Sequence, residues 1–571
     1  MPPAAALPWP FVTLTSSVQG ARLWRLRRLT ALGSLGWFAV GLATLLAVPV
    51  LYVLSCVFVT GGGSWQHLVE TVLWDYARNT LLLAAGVGVG VMVVGVGTAW
   101  LVTMCSFPGQ RTLEWALILP LAVPAYVMAY AYTDVLQFSG PVQASLRELT
   151  GWGAREYWFP DIRSLGGAVT VMVFVLYPYV YLLARTAFLE QSVGVIDVGR
   201  SLGYGPWRSF FGIALPLARP AVAAGTALAL METVADFGTV SYFAVQTFTT
   251  GIYRAWFSMG DPIAAAQLSA VLLGVVACVL MLERLTRGGA RYHNPMPRKR
   301  MPAFRLRGWR AAGAIIACGV PLAVGFALPA IILLRMTLSQ GDEQFGPRFA
   351  MLARNSILLA LLTAVLAIGL ALLMAYAARL RPGPITLSAS RVASLGYAIP
   401  GTVIAVGILV PVARLDHALD AFFSSMFGVS TGLLLTGGIV ALVYAYLVRF
   451  FAVGLQTVEA GVARITPSME SAARSLGCSP VAVLRRVHAP LLRGSLLTAA
   501  LMVFVDVMKE LPATFAMRPF NFDTLAVQAY NLASDERLAE AATASLAIVA
   551  VGLAPLIIVS RSIARSRATG S

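Results

Sequence analysis

The sequence predicts an all-α polytopic membrane protein: about twelve transmembrane helices arranged as two parallel six-helix repeats. Three observations carry that expectation. Of 571 residues, 58% are hydrophobic and only 12% are charged, against roughly a quarter charged in a soluble domain. Apolar stretches of about 20 residues, enough to cross a hydrocarbon core, recur along the whole length. Arg, Gly and Pro patterns in the first half return in the second at a nearly constant offset.

The first six spans are expected near 29–59, 79–104, 113–135, 165–187, 217–243 and 263–284, inside a first repeat covering 29–284. The second six are expected near 311–336, 352–378, 393–413, 430–456, 491–515 and 540–562, inside a second repeat covering 311–562. An arm (1–28), a linker (285–310) and a tail (563–571) remain. The apolar run from Leu29 to Val59 exceeds the core of about 7–15 residues of a signal peptide and reads as a retained span. Gln137–Arg163, with mixed charge and several Trp residues, reads as an external segment with room for a short interfacial helix.

The formal net charge is +17, and its placement matters more than its size. Arg22, Arg25, Arg27 and Arg28 lie in the arm; Arg298, Lys299 and Arg300 in the linker; Arg561, Arg565 and Arg567 at the end. This is the positive-inside pattern. It puts arm, linker and tail in the cytoplasm, marks a multi-pass inner-membrane protein in contact with lipid, and needs no nucleic-acid partner. Cys56, Cys105, Cys278, Cys318 and Cys478 lack metal-ligand spacing, as do His67, His293, His417 and His488. No resident metal, cofactor or catalytic set is expected.

The repeat is read from Arg200-Ser201-Leu202-Gly203 and Arg474-Ser475-Leu476-Gly477, which match at an offset of 274 residues. The same offset relates Pro206 to Pro480, Pro216 to Pro490 and Arg219 to Arg493. It is expected to continue through Phe248 and Phe522, Thr250 and Thr524, and Asp261 and Asp535. Arg78-Asn79-Thr80 and Arg354-Asn355-Ser356 match at 276, as do Pro124 and Pro400, which read as helix kinks. Asp261, before Pro262, and Ser534-Asp535 read as N-caps of the sixth and twelfth spans. Halves of equal orientation build a pathway between them.

Two long basic loops, about 190–216 and 464–490, separate the fourth from the fifth span of each repeat. Each contains a polar helix-like stretch, a Gly and a Leu-Pro or Ala-Pro step, so the helix stops at the Gly and the chain turns back as a rigid knob. The bare physical alternative is an amphipathic helix on the inner leaflet. These loops resemble those of fused permease subunits of binding-protein-dependent ABC importers, which carry Glu-Ala-Ala, a Gly and an Ile-x-Leu-Pro ending. Ser471-Ala472-Ala473-Arg474 through Gly477 and Pro490 fits the first part well. Asp197 and Arg200 through Gly203 and Pro216 fits the Gly and the ending, and neither copy has the family's Glu in place. The resemblance implies that Asp197, Arg200, Gly203, Pro206 and Pro216, with Ser471, Ala472, Ala473, Arg474, Gly477, Pro480 and Pro490, dock a cytoplasmic ABC ATPase, one copy per loop. Neither Lys299 nor Lys509 lies in a Gly-x-x-x-x-Gly-Lys-Ser/Thr phosphate loop, so the chain itself is not the ATPase.

Carboxylates in apolar spans are costly and functional by default. Glu232 and Asp236 in the fifth span, and Asp506 and Glu510 in the eleventh, are each four residues apart, expected on one helical face, and related by the offset of 274. They either line a cation pathway, as hard oxygen ligands suit hard cations, or fasten helices, with Lys509 neutralising a neighbour. The stretches Met231–Gly238, Phe248–Tyr253, Lys509–Thr514 and Arg518–Thr524 look like ferric-iron importer permeases. That resemblance implies passage of ferric iron, received from a periplasmic or surface solute-binding protein, with transient contact at these carboxylates. Thiamine permeases, also fused, are the alternative within the class, and an ion-coupled secondary transporter the alternative outside it.

Overall fold

The computed structural model describes residues 33–59, 63–153, 156–190, 203–287, 304–339, 346–380, 382–463 and 465–568. Among them, eleven helices are long and apolar enough to cross a membrane, or twelve when one pair bent by 92° is a single span. The chain is an all-α polytopic membrane protein. Its many exposed Leu, Val, Ile and Phe side chains lie on these spans, where lipid rather than water is the solvent.

In the first half the helices are α1 (Gly33–Ser55), α2 (Leu73–Met104), α3 (Gln110–Ala116), α4 (Ala125–Leu136), α5 (Pro141–Thr150), α6 (Leu165–Glu190), α7 (Leu215–Ala235), α8 (Gly238–Tyr242), α9 (Phe248–Tyr253) and α10 (Pro262–Arg287). In the second they are α11 (Trp309–Leu322), α12 (Leu328–Ser339), α13 (Pro347–Leu380), α14 (Pro384–Ala393), α15 (Gly401–Phe427), α16 (Ile439–Ala463), α17 (Pro467–Ser475), α18 (Ala489–Met508), α19 (Pro512–Met517), α20 (Leu525–Ser534) and α21 (Leu538–Ala568). The helix expected between Gln137 and Arg163 is α5. A single parallel bridge, β1 (Cys105–Ser106) with β2 (Phe304–Arg305), ties the chain entering the second half to the end of α2.

Prolines break spans here rather than kink them. The stretch expected as one helix over 113–135 is α3, a 3-10 turn at Leu119–Ala122, and then α4 after Pro124 in extended conformation. Pro400 likewise separates the 3-10 turn Ser394–Ala398 from α15, which runs on to Phe427, well past the expected 413. A proline donates no N–H and holds the residue before it out of the helical region, so the break falls at that step. Before Pro216 and Pro490 the helix instead widens into a π turn, at Phe210–Ala214 and Leu484–His488. The wider turn absorbs the missing donor without ending the helix.

α1 crosses to the second half, packing on α13, α14 and α15, while α11 and α12 pack on α2, α3 and α4. The crossings are fastened at carbonyls that proline leaves free. Pro49 cannot serve Leu45 O, and the Tyr444 hydroxyl donates to it at 2.6 Å. Val324 O, in the π turn before Pro329, accepts from Tyr132 at 2.7 Å. Backbones close to contact there: a Cβ on Gly407 would lie 2.5 Å from Pro49 O, and one on Gly325 2.5 Å from Phe174 O. In lipid such freed carbonyls need protein partners, which makes these contacts obligatory.

The expected fifth and eleventh spans are shorter than the apolar runs suggested. α7 ends at Ala235 and α18 at Met508, and short buried helices follow each. Beyond them the two halves slip register. Asn79 donates to Gln246 O at 2.9 Å and Thr80 Oγ1 accepts from Phe248 N at 3.3 Å; Asn355 donates to Asp523 O at 3.1 Å and Ser356 Oγ accepts from Leu525 N at 2.9 Å. Thr247 and Thr524 are the corresponding N-caps, so Phe248 does not match Phe522, nor Thr250 Thr524. Three extra residues in the second half change the offset to 277. Asp261 caps α10 through Ile263 N and Ala264 N, at 3.0 and 2.9 Å. Asp535 instead closes the end of α20. The equivalent of Asp261 is Arg537, each preceded by a residue with positive φ, Gly260 or Glu536.

Candidate functional site

Glu232 and Asp236 do not share a helical face, and neither do Asp506 and Glu510. α7 has ended before Asp236, whose φ of −65° and ψ of 135° are extended, and Glu510 lies beyond the end of α18 at Lys509. The four carboxylates nevertheless meet. All line one cavity of about 120 Å³ between the halves, with Tyr126, Tyr179, Tyr397, Arg449 and Lys509 in its wall. Glu232 stands 17 residues after Leu215, about 26 Å along the helix axis from the π turn.

The helix breaks themselves account for two of the acids. Asp236 Oδ1 accepts from Thr239 N and Val240 N at 3.0 and 3.2 Å, and Oδ2 accepts from the Thr239 hydroxyl at 3.1 Å. Glu510 repeats the arrangement: Oε1 accepts from Ala513 N at 2.9 Å, and Oε2 from Thr514 N and its hydroxyl at 2.9 and 2.5 Å. Each satisfies the free amides of a short buried helix, α8 or α19, where no water serves.

The other two acids project into the cavity and differ from each other. Asp506 pairs with Lys509 at 2.9 Å. Glu232 faces Arg449 Nη2 at 3.9 Å, while Arg449 Nη1 lies 3.2 Å from Glu510 Oε1. Gly401 makes room for that pair, since a Cβ there would sit 2.5 Å from Nη1. Arg449 was absent from the sequence-derived candidates. Its signal was an arginine in the interior of the span expected over 430–456. Four carboxylates against two cations leave a formal charge of −2 on the wall. They do not converge on a point: among the described residues no three His, Cys, Asp or Glu side chains are grouped to hold a resident metal.

Beside the cavity an aromatic cluster joins the halves. Phe237 stacks on Phe515 at 5.8 Å and lies 3.9 Å from Tyr253, centroid to centroid, with Phe515 and Tyr530 5.2 Å apart. The Tyr253 hydroxyl donates to Pro512 O, and Ser241 Oγ meets Tyr530 OH at 2.9 Å. Nearer the chain surface, Arg163 of the first half pairs with Glu536 of the second at 2.8 Å.

In the second loop, α17 ends in a Schellman motif: Cys478 N donates to Ala473 O at 3.1 Å and Gly477 N to Arg474 O at 2.9 Å. Gly477 has φ of +82° and Gly203 of +76°, both with open space where a Cβ would point. Ser471, Ala472 and Arg474 are exposed along α17, and Ala473 is turned inward. Pro480 and Pro206 each begin a four-residue helix; Pro490 and Pro216 follow the π turns. Asp197 and Arg200 lie outside the described residues.

A bundle whose irregular backbone lines a charged cavity between its two halves is the architecture of a membrane transport protein. The profile of the family described as binding-protein-dependent transport system inner membrane component matches residues 91–288. The chain is 24% identical to the Fe(3+)-transport system permease protein FbpB 2 of Haemophilus influenzae, over 90% of this chain and 96% of that one. It is 30% identical to the sulfate transport system permease protein CysW of Escherichia coli K12, over 36% of this chain and 70% of that one. It is 28% identical to the molybdenum transport system permease protein ModB of Escherichia coli K12, over 33% and 82%. The chain belongs to the family of binding-protein-dependent transport system inner membrane components, the multi-pass permease subunits of ABC importers. Such subunits are non-catalytic, and membership implies an ATPase and a solute-binding protein as partners.

Proposed function

We propose that this permease conducts ferric iron, delivered by a solute-binding protein, into the cytoplasm. It does so as two parallel six-helix repeats with cytoplasmic arm, linker and tail. The observation that carries the substrate is the cavity wall, where Glu232, Asp236, Asp506 and Glu510 outnumber Arg449 and Lys509. A negative wall of low dielectric draws cations and repels oxyanions. Carboxylates spread along the wall suit an ion that must leave as readily as it enters. The ferric-iron permease is also the reported relative that aligns with nearly the whole chain.

Two ATPase copies dock at the knobs turned by Gly203 and Gly477. The recurrence of Gly, four-residue helix, π turn and proline at an offset of 274 supports equal docking on both halves. Closure of the ATPases travels up α7 and α18, whose far ends carry the carboxylates.

A second reading, oxyanion import, is favoured by the buried Arg449 and Lys509 and by the molybdenum and sulfate relatives. Both cations already face carboxylates, which argues against it. Uptake of radiolabelled ferric iron, molybdate and thiamine by cells expressing the complete importer decides between them. ATP-dependent iron uptake, with no uptake of the other two, is expected; molybdate or thiamine uptake without iron would sink the assignment.

A further inference from the structure

Arg449 has little local reason to be where it is. It sits in the interior of α16, whereas Val175 holds the position 274 residues earlier on α6, and both line the cavity. The arginine is therefore an addition to one half, at membrane depth, where a charge is expensive. Its two contacts are unequal. Nη1 lies 3.2 Å from Glu510, a carboxylate already accepting from Ala513 N, Thr514 N and the Thr514 hydroxyl. Nη2 lies 3.9 Å from Glu232, beyond hydrogen-bond reach. Glu232 has no hydrogen-bonding partner among the described residues, and its side chain keeps 29% of its surface open.

We propose that Arg449 is a specificity-determining residue that stands in for the cargo. In the empty cavity its guanidinium supplies the positive charge facing Glu232; an arriving cation takes Glu232 over, and Glu510 retains the arginine. This rests on reading the chain as a cation permease. The exchange is one-sided because only the weaker contact is given up, and Arg449 is never left without a carboxylate. It also selects by charge. A monovalent cation gains little at Glu232 over a guanidinium, whereas attraction grows in proportion to charge, so a trivalent ion displaces it. An arginine serving only to brace the break before α19 would affect stability and leave ion preference unchanged.

Purified full-length permease titrated with terbium(III) reads this directly, because Tyr179 and Tyr397 in the cavity wall sensitise the ion's emission. Removing the competing charge by Arg449→Gln should tighten terbium binding by about tenfold. Arg449→Lys should stay near wild type, and Glu232→Gln should lose the tyrosine-sensitised signal. Equal affinities in wild type and Arg449→Gln overturn the proposal, as does an unchanged titration in Glu232→Gln. That second variant keeps the Arg449–Glu510 pair and both helix caps, so it reports even if Arg449→Gln fails to fold. Wild-type uptake separates the two levels of the argument. Molybdate uptake without iron overturns the cation reading and this proposal together, whereas iron uptake with unresponsive titrations overturns this proposal alone.

Discussion

The end of α7 and the end of α18 share one backbone plan and carry it with different charge. Both helices stop inside the bundle, and both use an acid to hold the first amides of the next short helix. At the first end that acid, Asp236, is fastened by amides and a hydroxyl. At the second, Glu510 also carries a buried arginine, and Lys509 stands where the first half has Ala235. Capping therefore recurs in both halves, while neutralisation belongs to one. A cavity between two such ends is asymmetric even though the chain around it nearly repeats.

The largest expected effect tests that asymmetry. Glu510→Ala leaves two buried amides without an acceptor and strips Arg449 of its hydrogen-bonded carboxylate, a loss of about 3–5 kcal/mol. Asp236→Ala removes only a cap, about 1–2 kcal/mol. Thermal unfolding of the purified variants should show the second-half substitution as clearly the worse, and equal drops would break the comparison. Next comes Gly401→Ala, which pushes a methyl into the Arg449–Glu510 pair and should cost about 1–3 kcal/mol by overpacking. The matching first-half position already holds Ala125, so Ala125→Gly should shift the unfolding temperature less.

The loops should behave alike where the cavity ends do not. Gly203→Val and Gly477→Val each force a branched side chain into the left-handed region, about 1–2 kcal/mol of local strain. ATP-driven uptake should fall severely and to the same extent in both, with the bundle still folded. Uptake lost in only one variant would show unequal docking. The smallest effects concern the clamps below α9 and α20. Thr80→Val and Ser356→Ala each remove one hydrogen bond, worth about 0.5–1.5 kcal/mol. Amide exchange at Leu525 should rise more than at Phe248, because the bond it loses is 2.9 Å rather than 3.3 Å.

Several of these features could be read from the residues. Gly203 and Gly477 announced their positive φ by standing between a helix-like stretch and a proline, and the structure has both there. The spans were legible because hydropathy is a property of contiguous residues. Yet the same continuity concealed the ends of α7 and α18: Val234 to Phe243 is as apolar as the helix before it, so the pattern read through the break. Asp236 looked like a residue on a helix face because the test for a face is spacing, and spacing cannot register that the helix has stopped. The offset failed past Thr247 for a related reason. Single-letter coincidences such as Thr250 with Thr524 continued the earlier register, while the three added residues lay in a segment where the hydrogen bonds of Asn79 and Asn355, not local pattern, define equivalence.

By itself, the sequence determined what each stretch is dissolved in and where it turns, because transfer to lipid, proline's missing donor and glycine's freedom act residue by residue. It also determined that acids 274 residues apart would be equivalent. Only the tertiary structure decided that the four meet in one cavity and that two of them are occupied with helix amides. It alone decided that α1 belongs with the opposite half and that Arg449 faces Glu232 across the join. Those are distances between residues far apart in the chain, which depend on how the helices pack, and no local preference encodes them.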